Sequence, residues 1–213
     1  MGVAESPAVR QRLGLLGGSF DPVHHAHLAL ARAALEQLGL DRVLWLPARR
    51  PWQRSPLGAE AKDRLAMLQL ALANEPGMEI LTLELERTGP TYTADTLAEL
   101  GAGDDPSVEY IWLLGSDQLR NFCTWERWRD IVRRVRLAVA RRPEHDLLPP
   151  PELAAQLRAQ ETPLLTIDFP PLALSATEIR RRVAAGQPID EFTPPAVAAY
   201  IRQHQLYRSS STA

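Results

Sequence analysis

Apolar positions along the chain follow two rhythms. Short apolar runs alternate with longer stretches in which apolar residues recur every three or four positions. The runs predict strands at 12–16, 42–47, 108–114, 137–140 and 164–169. Positions 78–85 alternate strictly, with Ile80, Thr82 and Glu84 set against Leu81, Leu83 and Leu85, and predict a further strand exposed on one face. The longer spacing predicts helices. Over 25–38 it places Leu28, Ala31, Leu35 and Leu38 on one side, and Gly39 ends the helix. Over 59–73 it does the same with Leu65, Leu68 and Leu72. Shorter helices are predicted at 93–100, 125–134, 151–160, 175–185 and 194–203, the last with Thr193 as N-cap and Pro194 in its first position.

Strand–helix alternation of this kind builds an α/β fold: a doubly wound, mostly parallel sheet of about six strands with helices on both faces. One domain is expected over 12–207, with a small helical C-terminal subdomain at about 171–207 and tails at 1–11 and 208–213. Ligands of such sheets lie beyond the carboxyl ends of the strands. Function is therefore sought in the loops after Leu16, Leu46, Leu85, Leu114 and Phe169.

Composition narrows the classes. At 213 residues the chain is long enough to bury a core without cross-links. With 24 Lys and Arg against 26 Asp and Glu, the formal charge is 24 − 26 = −2, which argues against a protein that coats nucleic acid. The single cysteine, Cys123, excludes an internal disulfide and any multi-cysteine zinc site. No run approaches 18 apolar residues, so no membrane span is expected, and residues 1–12 lack the apolar core of a secretory signal. Residues 1–6 fit the loose myristoylation pattern, but so short a pattern arises often by chance, and a frayed tail is the expectation. A cytoplasmic location is the expectation.

The first loop, Gly17-Gly18-Ser19-Phe20-Asp21-Pro22-Val23-His24-His25-Ala26-His27, matches neither GxGxxG nor a P-loop. Its glycines let backbone approach a ligand, and the helix that follows presents free N–H groups. His24 and His27, three apart, share a face of its first turn. They suit donors to phosphate oxygens, a zinc pair lacking an obvious third ligand, or plain capping and packing. Near the C-terminus, Ser175 and Glu178 have the spacing of a capping box, which leaves Arg180-Arg181-Arg182 unexplained. A helix start with hydroxyls at Ser175 and Thr177, close to an arginine, is also an anion cradle. Asp117, after the strand at 108–114, can cap a turn or receive a ribose hydroxyl. Of Trp125 and Trp128, one is expected in the core and the other against a flat ring.

Together these segments resemble the nucleotidyltransferase superfamily, whose signatures are GGxFDPxHxGH and a late SxTxIR. The run 87–97 (RTGPTYTADTL), the segment 115–128 with Phe122, Trp125 and Trp128, and Ala140-Arg141-Arg142-Pro143 resemble the corresponding segments of the bacterial nicotinate-nucleotide adenylyltransferases. The motifs run in order from about Leu13 to Tyr207. Ala26 stands where the superfamily usually has glycine, and Gln53 and Arg54 where the family often has histidine and lysine.

The resemblance implies a Rossmann-like fold and transfer of AMP from ATP to nicotinate mononucleotide, with Mg²⁺ accompanying ATP, held by phosphates and water. It implies catalytic roles for His24, His27 and Arg180, and ATP contacts from Gly17, Gly18, Ser19, Phe20, Asp117, Arg141, Ser175 and Thr177. Arg54, Tyr92, Thr93 and Trp125 would meet the mononucleotide, and Glu126 is expected to face outward. Other readings are a transferase of the same fold using nicotinamide mononucleotide or pantetheine phosphate, and a non-catalytic nucleotide sensor. A homo-oligomer is possible.

Overall fold

The computed structural model describes residues 10–50, 57–141, 147–168 and 174–208. Its strands are β1 (Gln11–Gly18), β2 (Arg42–Pro47), β3 (Met78–Ile80), β4 (Val108–Gly115), β5 (Arg136–Arg141) and β6 (Leu165–Asp168). Its helices are α1 (His25–Leu38), α2 (Ala61–Leu72), α3 (Leu83–Glu86), α4 (Thr93–Glu99), α5 (Ser116–Arg120), α6 (Trp128–Arg134), α7 (Pro151–Ala159), α8 (Ala176–Ala184) and α9 (Pro195–Gln203). All strand pairs are parallel, in the order β3-β2-β1-β4-β5-β6. The chain builds outward from β1 to β3, then returns to the other side of β1 with β4. The crevice between the ends of β1 and β4 is the topological switch point, where a ligand fits between diverging connections.

Successive strand residues face opposite sides, and the two cores divide accordingly. Ile111 and Leu113 of β4 pack with residues of α1, α2, α8 and α9. Trp112 and Leu114 pack with residues of α4, α6 and α7. Near-continuous burial along β1, β2, β4 and β5 is what a sheet covered on both faces requires.

Four expectations are corrected. The strand at 78–85 stops at Ile80. Only Met78–Ile80 pairs with β2, and after the Leu81 N–H reaches the Trp45 carbonyl (2.9 Å) the chain turns into α3. The Thr82 carbonyl takes the Leu85 and Glu86 amides, and this turn carries Glu84 from its expected solvent face to a position only 4% exposed. The helix at 125–134 starts at Trp128, because Arg127 is left-handed (φ 51°) and follows a 3₁₀ turn at Phe122–Thr124. Pro194, not Thr193, holds the cap position before α9. Thr193 is buried and donates its hydroxyl to the Val23 carbonyl at 2.8 Å. In α2 the buried residues are Asp63, Arg64, Met67, Leu68, Ala71 and Leu72, so Leu65 sits at the edge of the stripe. No helix among the described residues is long and apolar enough to cross a membrane.

Candidate active site

A cavity of about 430 Å³ opens at the switch point. Gly17 and Trp112 form part of its floor, and a Cβ on Gly17 would lie 2.8 Å from the Trp112 ring. Any side chain there would fill the cavity or displace the indole.

One wall is the start of α1. The His24 and His27 rings stack with centroids 3.7 Å apart and planes 20° apart, so their in-plane lone pairs do not converge on one ion. His27 Nδ1 accepts the His24 backbone N–H (3.3 Å), which places the proton of the neutral His27 ring on Nε2. Phe20 packs edge-on against His27 (5.2 Å) and against Trp45, holding the imidazole from below. Among the described residues no three His, Cys, Asp or Glu side chains form a metal-binding group.

His24 is buried with no partner for Nδ1. Burial, then the charge of His25, pushes its pKa down to about 4. The stability consequence has a definite sign. A base whose folded pKa lies below its unfolded value stabilises fully above about 6.5 and loses that contribution as pH falls toward 4, at most about 3 kcal/mol. Thermal melts between pH 7 and 4.5 should therefore show the wild-type Tm falling relative to that of His24→Asn. Parallel Tm curves for the two proteins would refute the effect.

Behind the loop lies a buried polar hub. Asp21, 2% exposed, accepts the N–H groups of Gly58 (2.7 Å) and Ala59 (3.0 Å) and the Tyr207 hydroxyl (2.8 Å). Burial and the Asp21 charge raise the Tyr207 pKa, so the phenol stays a donor. Arg64, 1% exposed, donates to the carbonyls of Ser19 (2.6 Å), Ala48 (2.7 Å) and Arg49 (3.2 Å). It ties the loop after β1 to the loop after β2. Its desolvation lowers its pKa, offset in part by Asp21. Arg180 enters the same hub, donating to the Asp21 carbonyl at 2.7 Å and lying 3.8 Å from the Asp21 carboxylate.

The opposite wall comes from the segment before α4 and from the turn at Trp125. Trp125 packs on Phe122 (5.1 Å) and stands edge-on to Trp112 (6.3 Å), while Trp128 is buried in the core. Two lining residues of this region carry buried donors without a partner, Thr91 Oγ1 and Trp125 Nε1. Glu84 lines the same wall.

Gly17, Gly18, Ser19, His24 and His27 line this cavity. From distant parts of the chain, Thr93, Asp117, Trp125, Ser175 and Thr177 join them. Phe20 does not line the cavity; its side chain is buried in the core, where it supports the His27 ring. Arg141 turns to the sheet edge and pairs with Asp168 at 2.7 Å. Arg180 sits behind the cavity wall, 3.4 Å from the Thr177 hydroxyl. Tyr92 caps α4 between the two lining residues Thr91 and Thr93. Asp117 lines the cavity while pairing with Arg120. Ser175 accepts the Glu178 N–H (3.1 Å), but the Glu178 carboxylate bonds to Arg181 and Arg182, so only half of the predicted box forms. Glu126 is exposed. Gln53, Arg54, Arg142 and Pro143 lie outside the described residues. The sequence reading missed Arg64, Glu84 and Tyr207. The one signal for Arg64 was a charge on the apolar stripe of α2, beside Met67 and Leu68.

The cytidylyltransferase-like family model matches residues 15–182. A probable nicotinate-nucleotide adenylyltransferase of Bordetella pertussis is 55% identical over 197 residues, covering 92% of this chain and 98% of that protein. One of Laribacter hongkongensis is 44% identical, covering 96% and 98%. Among solved structures, the nicotinic acid mononucleotide adenylyltransferase of Plasmodium falciparum, complexed with NaAD, superposes with TM-score 0.73. It is 20% identical, covers 93% of this chain and 98% of that one, and shows the shared fold.

Proposed function

Because the chain belongs to the nicotinate-nucleotide adenylyltransferases, within the cytidylyltransferase-like family, we infer that its cavity joins ATP and nicotinate mononucleotide into nicotinate adenine dinucleotide and pyrophosphate. The observation that carries the residue assignments is one cavity lined by both histidines, by the helix start at Ser175–Thr177 and by Trp125. These come from three separate parts of the chain and pair a phosphate-binding end with a ring-binding end.

The mononucleotide phosphate attacks the α-phosphorus in line, and pyrophosphate leaves. A phosphate monoester is already anionic near neutral pH, so the protein needs no strong base and forms no covalent intermediate. Its work is positioning and charge neutralisation. His27, with its proton held on Nε2, donates to the developing charge. His24, neutral in the free protein, gains a proton more readily once a polyanion lies against it. The α8 start and the Ser175 and Thr177 hydroxyls receive the departing phosphates, with Arg180 behind them as the fixed positive charge. Backbone at Gly17–Ser19 runs along the nucleotide, and Asp117 faces the adenosine ribose. Trp125 stacks on the pyridine ring beside Thr93. When bound with ATP, Mg²⁺ would supply charge neutralisation at the phosphates; among the described residues no three His, Cys, Asp or Glu side chains form a cage, so phosphate and water oxygens would hold it.

Pyrophosphate release with ATP and each mononucleotide in turn tests the reaction. The acid mononucleotide is the expected acceptor, and release only with pantetheine phosphate or with no acceptor at all would overturn the assignment. Trp125→Ala is expected to raise KM for the pyridine nucleotide about tenfold, as for the loss of one stacked ring, and to leave KM for ATP unchanged. Equal damage to both constants would exclude the stacking role.

A further inference from the structure

The ring-binding wall holds polar groups that the packing of the protein does not satisfy. Thr91 is only 6% exposed and Trp125 is half-buried, yet the hydroxyl of one and the indole N–H of the other lack partners. Both line the cavity with Glu84, which is 4% exposed. Buried donors left unpaired destabilise the fold unless a ligand completes them. A hydroxyl at Thr91 and a carboxyl at Glu84, lining the same cavity as the Trp125 ring, define a place for a polar substituent on a flat ring stacked there.

We propose that Glu84 determines specificity for that substituent: as a neutral acid it donates to the ring carboxylate of the acid mononucleotide, and when ionised it repels that carboxylate and accepts an amide N–H instead. This rests on the reaction and on the Trp125 stacking stated above.

The surroundings of Glu84 support both states. The Thr96 hydroxyl donates to its Oε1 at 2.6 Å, and Arg87 donates to that same hydroxyl oxygen at 3.1 Å. Arg87 is also bonded to Glu99, so its charge is shared and does not fully compensate Glu84. Glu99, the partner of Arg87, adds a negative charge that favours the neutral carboxyl, and the other charged or titratable groups of the neighbouring segments have places of their own. Arg49 lies 3.5 Å from the Leu85 carbonyl, Glu86 takes the Thr82 hydroxyl, Asp95 pairs with Arg127, and Tyr92 caps α4. Burial, opposed by the Thr96 hydrogen bond and Arg87, pushes the Glu84 pKa up to about 7. The switch therefore falls in the working pH range.

The measurement is the ratio of kcat/KM for nicotinate mononucleotide to that for nicotinamide mononucleotide, from pH 6 to 8.5, in wild type and Glu84→Gln. Taking the ratio cancels titration of the shared phosphate, of ATP and of the histidines. In wild type the acid-to-amide ratio should fall about tenfold across this range, the scale of one charge–charge contact in a buried site. In Glu84→Gln, which keeps the shape and cannot ionise, the ratio should be flat with pH. A carboxyl that merely anchors α4 would lower both substrates alike and leave the ratio unmoved. A flat wild-type ratio, or a slope that persists in the variant, overturns the role of Glu84 alone. Turnover of neither mononucleotide overturns the assigned reaction and this inference with it.

Discussion

His27→Ala is expected to lower kcat at least about 10²-fold, the scale of losing one preorganised donor to a developing charge, while KM for ATP changes little. Three contacts make this ring a fixed donor. Phe20 meets it edge-on, His24 stacks on its face, and the His24 backbone N–H occupies Nδ1. The ring therefore does not reorganise when charge develops in front of it, and that rigidity gives a hydrogen bond its catalytic worth. His27→Gln retains an N–H without this support and should recover only part of the loss. Steady-state kinetics on both variants, with melting curves to show that they are folded, decide the point. Near-normal kcat in a folded His27→Ala protein would remove His27 from the catalytic role.

Arg64→Met is expected to cost about 3–5 kcal/mol of stability, the range for removing one partner from a buried charged network. Methionine fills much of the same volume but donates nothing. The carbonyls of Ser19, Ala48 and Arg49 would lose a common donor, and the buried Asp21 carboxylate a compensating charge. For a chain of this length that corresponds to a fall in Tm of roughly 10 °C. Because Arg64 joins the loops after β1 and β2, the variant should also bind ATP more weakly at temperatures where it is still folded. Arg64→Lys keeps the charge but not the planar fork, so it should fall in between. A Tm within about 2 °C of wild type in Arg64→Met would show that the network contributes little.

The part of the cavity built by the two helix starts was largely readable because its parts are local. Gly17 to His27 is one loop and one helix start, and Ser175 to Arg180 is another, so spacing alone brings each set of groups together. Arg141 was misplaced because the RR-P run shows charge and not direction. In the folded chain its guanidinium has a nearer partner in Asp168, on the adjacent strand. Glu84 was misplaced because a two-residue alternation holds only while the chain stays in the sheet, and β3 ends after three residues.

By itself the sequence determined the alternation of strands and helices, the parallel sheet and the two helix-start segments that line the cavity. Each depends on periodicity, capping and turn chemistry within a few residues. Only the tertiary structure decided which charges became buried and what they touch. Arg64 spans to carbonyls on two loops, Tyr207 reaches Asp21 across 186 residues of chain, and Arg180 reaches the same residue across 159. Glu84 was likewise placed by a turn that its own segment did not announce. Burial of a charge depends on every element that packs around it, so no local pattern can specify it.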